Sequence, residues 1–479
     1  MLEKQPLTPD VLVVDLDRTL LRSDMLFESF WAAFSADWST PFRAARALAQ
    51  GPSALKRALA QRAGIDVATL PYDQRVIAYV RRWREGGGRT ALVTACDHEL
   101  ASRIAAHLGI FDEVHGSDGV RNLKGSNKAA FLADRFGAGR FAYMGDAAAD
   151  LPVWRVAGRA ITVNLPRALR ARVEAIDPEA EHLETTPGSM KPYVKALRPH
   201  QWLKNILVFL PMLTAHQFQM PALVQSLGAF VAFSLIASSV YVANDLLDLR
   251  ADRAHPRKCR RPFASGDVPI AHGGGMLAAL IGVGALVSAL LGWPFVAAMV
   301  AYFIITTAYS LVLKRRAVID ICTLAGLYTM RIVAGAVATG IPLSAWLLAF
   351  SAFFFFSLAA IKRQAELIDG AARGELQSVG RGYCVDDLPI VAMMATASGY
   401  VSILVMALYV SSPKVAELYA QPIILGGICC VLFYWISRIV LLTHRGHMHD
   451  DPVVFAARDR ISQICAVAVL AFAVGGMML

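Results

Sequence analysis

Hydrophobic positions along the chain change period near residue 190. Before it, short apolar runs (Val11-Leu12-Val13-Val14, Thr90-Ala91-Leu92-Val93, Phe141-Ala142-Tyr143-Met144) alternate with segments of helical spacing such as 101–108 and 128–136. Four-residue buried strands alternating with helices predict a parallel α/β sheet. Each run ends on polar residues, Asp15-Leu16-Asp17-Arg18-Thr19, Thr94 and Gly145-Asp146, where such sheets bind ligands. Residues 24–84 hold no comparable strand and read as a mostly helical cap inserted into this domain.

The domain is expected over residues 1–166, followed by a polar linker over 167–194 with Pro178 and Pro187-Gly188. Beyond it lie nine apolar segments, 201–216, 222–244, 272–292, 294–313, 318–339, 345–361, 390–410, 422–442 and 462–478. A spanning helix needs about 17–25 residues, so residues 195–479 are expected to form an all-α bundle of nine transmembrane helices. Its charge supports that count. Residues 191–479 carry 23 Lys and Arg, and 20 of them fall in loops on the linker side (191–204, 249–271, 314–317, 362–389, 443–461). Cytoplasmic loops are the basic ones, which predicts a multi-pass protein of the cell (inner) membrane with the N-terminal domain in the cytoplasm.

Composition agrees. The chain of 479 residues is 56% hydrophobic and 18% charged, against about 45–50% and about 25% in soluble domains. The net charge of +10 comes from the second part, since residues 1–190 balance 24 basic against 23 acidic residues. With no basic stripe interleaved with aromatics in the soluble part, nucleic-acid binding is excluded as the meaning of that charge. Seven scattered cysteines without a CxxC pair argue against a disulfide framework or zinc site.

Asp15 and Asp17 stand two residues apart where the first run ends and the chain must turn, so both can face one pocket. Clustered carboxylates repel unless a cation lies between them. Asp146 and Asp150 add two more, Thr94 a hydroxyl and Lys124 a fixed positive charge. Together they can hold Mg²⁺ and a phosphoryl group in line with a carboxylate nucleophile. In DLDRT at 15–19, LVTA at 92–95, LKG at 123–125 and GDAAAD at 145–150, the chain resembles the haloacid dehalogenase superfamily, specifically its phosphoserine-phosphatase-like members. The resemblance implies a Rossmann-like phosphatase domain with Asp15 as nucleophile, Asp17 as general acid and base, and Thr94 and Lys124 as phosphate holders. It also implies Mg²⁺ on Asp15, Asp17 and Asp146, with Asp150 orienting the metal shell or Lys124. Arg18 departs from the pattern where glycine is common, and Ala147 and Ala149 replace the usual Gly and Asn.

Near the cytoplasmic end of the second apolar segment stands Asn244-Asp245-Leu246-Leu247-Asp248-Leu249-Arg250-Ala251-Asp252. Spacings of three and four put Asp245, Asp248 and Asp252 on one helix face, and Mg²⁺ bridging to a diphosphate would resolve their repulsion. The run Asp252-Arg253-Ala254-His255-Pro256-Arg257-Lys258-Cys259-Arg260-Arg261-Pro262 then supplies cations. The region resembles the UbiA superfamily of intramembrane prenyltransferases, whose NDxxDxxxD motif is matched at every fixed position. Within it, the chain is most similar to decaprenyl-phosphate phosphoribosyltransferases, through Arg198-Pro199 with Gln201 to Asn205, the 252–262 run, Val318-Ile319-Asp320, Arg331 to Gly335, Lys362 to Leu367 and Arg458-Asp459-Arg460.

This resemblance implies Asp245 and Asp248 as catalytic residues and Asp245, Asp248 and Asp252 as Mg²⁺ ligands. Lys204, Asn205, Asn244, Lys258, Arg261, Lys362 and Arg363 are the candidate substrate-binding residues; the basic ones among them equally suit topology or lipid headgroups. The loop between the sixth and seventh segments opens with Lys362-Arg363 and has no DxxxD. A basic pair there suits a second phosphate on the donor, as in phosphoribosyl pyrophosphate, better than a second Mg²⁺. The expected protein is bifunctional: it moves 5-phosphoribose from phosphoribosyl pyrophosphate to a polyprenyl (decaprenyl) phosphate and dephosphorylates the product. Two alternatives stay open, a prenyltransferase using an allylic diphosphate with an unrelated phosphatase, and a membrane-anchored phosphatase on a non-catalytic membrane module.

Overall fold

The computed structural model describes residues 9–118, 122–185, 188–374, 381–448 and 451–478. The chain forms two compact units, Met1–Leu197 with Tyr241–Leu277, and Arg198–Val240 with Ala278–Leu479.

The first unit is built on six parallel strands in the order β3-β2-β1-β4-β5-β6: β1 Val11–Val14, β2 Arg89–Asp97, β3 Glu113–Ser117, β4 Phe141–Gly145, β5 Arg159–Val163 and β6 Glu181–Leu183. Every residue of β1 and β4 is buried. Two apolar cores cover the two faces of the sheet. Leu12, Val14, Leu92 and Met144 point into one, and Val13, Val93, Phe141 and Tyr143 into the other, as the two-residue alternation of strand side chains requires.

Between β1 and β2 lie α1 (Met25–Ala36), α2 (Thr40–Leu48), α3 (Pro52–Ala63) and α4 (Gln74–Glu85), the helices expected of the 24–84 insertion. Asp24 and Asp73 cap α1 and α4 by accepting backbone N–H groups of the first turn. Helices α5 (His98–Leu108), α6 (Ser126–Phe136), α7 (Leu151–Trp154) and α8 (Arg167–Glu174) follow their strands. The expected linker is thus partly wrong: α8 and β6 occupy 167–183, and Leu183 bonds back to Asn164. An edge strand of three half-buried residues carries no apolar signal, so its polarity read as a linker. Residues 186–187 lie outside the described residues. Helix α9 (Lys191–Leu197) leads out of this part.

The expected first membrane segment is not a long helix. Residues 199–209 form 3₁₀ turns, and Pro211 opens the short α10 (Leu210–Thr214). Among the described residues, eight helices, not nine, are long and apolar enough to cross a membrane. They are α11 (Met220–Leu247), α13 (Ile270–Leu290), α14 (Trp293–Leu311), α15 (Ile319–Thr339), α16 (Ala345–Ala372), α17 (Leu388–Val410), α19 (Gly426–His444) and α21 (Arg460–Met478). The short α12 (Leu249–Ala254), α18 (Pro413–Leu418) and α20 (Pro452–Arg458) lie between them. The core of the second unit joins Ile321, Tyr328, Phe355, Leu358, Trp435 and Ile439.

Candidate active sites

Val14 pairs in register with Leu92 on β2 and Met144 on β4, so β1 and β4 run out level with the middle of β2, where the strand order reverses around β1. That level carries Asp15, Thr94 and Asp146, at the position where open α/β sheets bind ligands. Asp15 accepts the N–H of Leu16 at 2.8 Å. Thr94 is fully buried and its Oγ1 accepts the N–H of Cys96 at 3.0 Å. Asp150 folds back under the β4 end, accepting from the N–H groups of Asp146 (3.3 Å) and Ala147 (3.1 Å) and from the Tyr143 hydroxyl (2.8 Å). A Cβ on Gly145 would stand 2.7 Å from Asp150 Oδ2, so this fold-back requires glycine at the strand end.

Asp15, Asp146 and Asp150 each place an oxygen within 4.8 Å of the others. Hard oxygens so grouped are the donor set of Mg²⁺, and the electrostatics agree. Burial drives the Asp146 carboxyl up to about 7, with Asp15 and Asp150 adding to the rise and Arg18 opposing it. Arg18 sits 2.8 Å from Asp146 Oδ2 and holds φ +56°, the left-handed region that glycine adopts without strain. Asp17 lies outside the trio. Its Oδ1 accepts the Met25 N–H at 2.8 Å, and burial, reinforced by the charge of Asp24, raises its carboxyl well above the ordinary range.

The lysine against Asp15 is Lys128, which the sequence reading missed. Its ammonium is 3.0 Å from Asp15, 3.9 Å from Asp150 and 3.0 Å from the Tyr143 hydroxyl, with its side chain 2% exposed. Lys124, the expected phosphate holder, is exposed on the preceding loop. A second missed lysine, Lys56 of α3, reaches in to the Ala95 carbonyl (2.7 Å) and Asn122 Oδ1 (3.4 Å). Burial lowers its ammonium pKa while Asp17 opposes that shift.

In the acidic turn, α11 ends at Leu247 and α12 begins at Leu249, so the helix breaks within NDxxDxxxD. Asp245 and Asp252 are buried, and Asp248, at the break, is exposed. Arg261 Nη1 donates to Asp245 Oδ1 at 3.1 Å and Asp252 Oδ2 at 2.6 Å. Two carboxylates converging on one cationic nitrogen mark a cation position, the arrangement a divalent ion and its phosphate ligands fit. Burial raises the Asp252 carboxyl, with Arg261 opposing it. Lys258 is exposed and Asn244 half-buried.

In the second unit, Lys204 and Lys362 meet on one carboxylate, Asp451, at 2.7 and 3.1 Å. Burial alone would raise Asp451, but the two ammonium groups hold it far below the usual carboxylate range. Asn205 donates to Ser234 Oγ (3.0 Å) and accepts from Arg331 Nε (2.9 Å). Arg363 is fully buried, with its Nε 2.8 Å from Asp320, and it also bonds Glu366. An apolar cavity of about 630 Å³ is lined by residues including Leu207, Phe354, Phe355, Trp435 and Val469, with Lys204 also in its wall.

Residues 205–475 match the UbiA prenyltransferase family. The chain belongs to that family. Residues 12–155 of this UbiA-family chain match the haloacid dehalogenase-like hydrolases. An uncharacterised protein of Sinorhizobium fredii, y4nM, is 37% identical over 94% of the chain and 88% of its own length. The nodulation protein NoeC of Azorhizobium caulinodans is 38% identical over 57% of the chain and 89% of its own length. The decaprenyl-phosphate phosphoribosyltransferase of Mycobacterium tuberculosis is 43% identical over 36% of the chain and 59% of its own length. The chain is therefore a multi-pass UbiA-type membrane protein whose residues 12–155 form a haloacid dehalogenase-like hydrolase domain.

Proposed function

We propose that the membrane half transfers 5-phosphoribose from phosphoribosyl pyrophosphate to a polyprenyl phosphate, releasing diphosphate, and that the phosphatase half then removes the 5-phosphate from the lipid-linked sugar. The observation that carries the first step is Asp245 and Asp252 sharing one nitrogen of Arg261; the likeness to a decaprenyl-phosphate phosphoribosyltransferase supports the choice of donor. Asp245 and Asp252 would hold Mg²⁺, with Asp248 free at the turn to reach the same ion; when bound, it supplies charge neutralisation for the leaving diphosphate. Arg261 then turns its guanidinium to the diphosphate oxygens. A lipid phosphate oxygen attacks C1, the C1–O bond breaks, and the bonding pair leaves with the diphosphate. Lys204, in the wall of the apolar cavity, suits the phosphate of a polyprenyl chain lying in that cavity. Lys362 shares Asp451 with Lys204 and offers a second ammonium to phosphate.

In the phosphatase half, Asp15, Asp146 and Asp150 would hold Mg²⁺. Asp15 attacks phosphorus and the bond to ribose O5 breaks. Asp17, whose carboxyl burial and the charge of Asp24 push above the ordinary range, gives its proton to O5. It then takes a proton from the water that splits the aspartyl-phosphate, returning Asp15 and releasing phosphate. Lys128 holds Asp15 in place throughout, and Lys56 offers a charge to the phosphodiester that joins sugar to lipid. The concentration of Lys and Arg in the linker-side loops supports a cytoplasmic location for both sites.

The test is a donor competition with the purified full chain in lipid. Labelled phosphoribosyl pyrophosphate and an allylic diphosphate are offered together with polyprenyl phosphate and a small aromatic acceptor. Label from the ribosyl donor in the lipid fraction, abolished by Asp245→Asn with Asp252→Asn, is the expected result. Turnover of the allylic diphosphate alone overturns the proposal.

A further inference from the structure

Within the first unit, the phosphatase and the acidic turn are joined by one desolvated ion pair. Helix α1 begins beside the phosphatase site, where Met25 donates to Asp17. One turn on, the Glu28 carboxylate accepts both arms of the Arg253 guanidinium, Nη1 to Oε2 at 3.0 Å and Nη2 to Oε1 at 2.6 Å. The two side chains are 7% and 5% exposed. Arg253 is the residue after Asp252, and its remaining donor, Nε, bonds the Ala264 carbonyl at 3.0 Å, closing the loop that carries Arg261.

The contact around this pair is shaped for close approach. Arg22 bonds Asp73 through Nε (3.3 Å) and stands 3.9 Å from Asp267. Gly266, at φ +75°, lies against it: a Cβ there would meet Arg22 Cβ at 2.6 Å and Pro71 Cβ at 3.3 Å. Lys195 adds a bond to the Arg260 carbonyl at 3.0 Å. An exposed ion pair would contribute little. A forked arginine–carboxylate pair removed from water fixes geometry, because losing one partner strands a buried charge.

We propose that Glu28 is a positioning residue of the membrane half: through Arg253 it fixes α12, and with it Asp252 and the loop bearing Arg261, so the phosphatase domain is a structural part of the transferase's acidic site. This rests on the reading of Asp245 and Asp252 as the cation and diphosphate site. A carboxylate one turn from the phosphatase's own Asp17 contact thereby sets the preorganisation of the other centre. Outer partners of metal ligands tune affinity in the same way.

The test compares the wild-type full chain in lipid nanodiscs with Glu28→Gln, which keeps shape and removes charge, and with Glu28→Asp, which keeps the charge. Amide exchange over 249–262 is expected to quicken about five-fold in Glu28→Gln and to return toward wild type in Glu28→Asp. The Mg²⁺ concentration giving half-maximal transfer is expected to rise about ten-fold in Glu28→Gln, with the maximal rate at saturating Mg²⁺ retained. Arg253→Lys, which keeps the charge and loses the fork, probes the pair from the other side should Glu28→Gln fold poorly, and is expected to shift both readouts in the same direction. Unchanged exchange over 249–262, or an unchanged Mg²⁺ requirement, overturns the proposal. If the wild-type chain transfers no ribosyl group, the proposed reaction fails, while the exchange over 249–262 still decides the role of Glu28.

Discussion

Replacing Lys128 by Met isolates the charge that the structure puts against Asp15. The substitution keeps the volume of a side chain only 2% exposed and leaves the carboxylates of Asp15 and Asp150, 3.0 and 3.9 Å away, without their ammonium. At 3.0 Å and an effective dielectric of about 20, the Asp15 attraction alone is about 6 kcal/mol before desolvation. Burying the ammonium offsets part of that, and breaking a buried pair from one side costs about 3–5 kcal/mol. The domain is therefore expected to lose about 10 °C in Tm. Phosphatase turnover is expected to fall about 10²–10³-fold, as when one fixed donor to the reacting oxyanion is lost. Lys124→Met, on an exposed loop, is expected to stay within about three-fold of wild type, the scale of a surface charge. The assay is hydrolysis of a soluble phosphomonoester at saturating Mg²⁺ with melting followed in parallel. An inactive Lys124→Met beside a near-normal Lys128→Met would show that Lys124, not Lys128, serves Asp15.

The other predictions follow from the same contacts. Asp146 rises from an ordinary 3.8 to about 7, so without metal its contribution to stability is fully present below 3.8 and lost as pH rises through about 7. The chelated protein is expected to lose thermal stability across that window, and Asp146→Asn to flatten the profile; a chelated wild type that is level from pH 4 to about 7.5 counts against this. Arg18→Gly removes a competing cation from Asp146 and relieves a left-handed φ, so the Mg²⁺ needed for half-maximal phosphatase activity should fall about two- to five-fold, the worth of a half-exposed pair. Arg363→Met should leave Asp320 buried and unpartnered by that arginine and cut the yield of folded protein in detergent. Lys362→Met should fold and instead raise the KM for the ribosyl donor about ten-fold. A swap of those two phenotypes would reverse the structural assignment of the pair.

The sheet was legible because β1, β2 and β4 are central strands whose burial on both faces forces unbroken apolar runs ending in Asp15, Thr94 and Asp146. The edge was not: β6 is three half-buried residues in a polar stretch. Motif spacing singles out Asp15, Asp146 and Asp150, which the fold brings together, but not Lys128, which lies against Asp15. LKG marks Lys124, whereas one further helical turn along α6 carries Lys128 inward, and only the packing of α6 against β4 reveals that. Lys56 had no motif at all, since it comes from an inserted helix. In the membrane half, the Asp-rich pattern located the turn. An unbroken helix face would have aligned all three aspartates, but the break between Leu247 and Leu249 leaves Asp248 exposed. The pair Lys362-Arg363 looked uniform in sequence, yet adjacent helical residues point about 100° apart, so one lysine reaches Asp451 and the arginine is spent on Asp320. Asp451 itself gave no signal, because its meaning depends on two lysines far away in the chain.

One chain is expected to run two consecutive reactions on one lipid. The most direct measurement incubates wild-type and Asp15→Asn protein, each in lipid with Mg²⁺, labelled phosphoribosyl pyrophosphate and a polyprenyl phosphate, and reads the lipid fraction by mass. Asp15→Asn is expected to accumulate polyprenyl-phosphoryl-5-phosphoribose and wild type to yield polyprenyl-phosphoryl ribose. No labelled lipid from folded protein, or the same 5-phosphorylated lipid from both, would contradict the account.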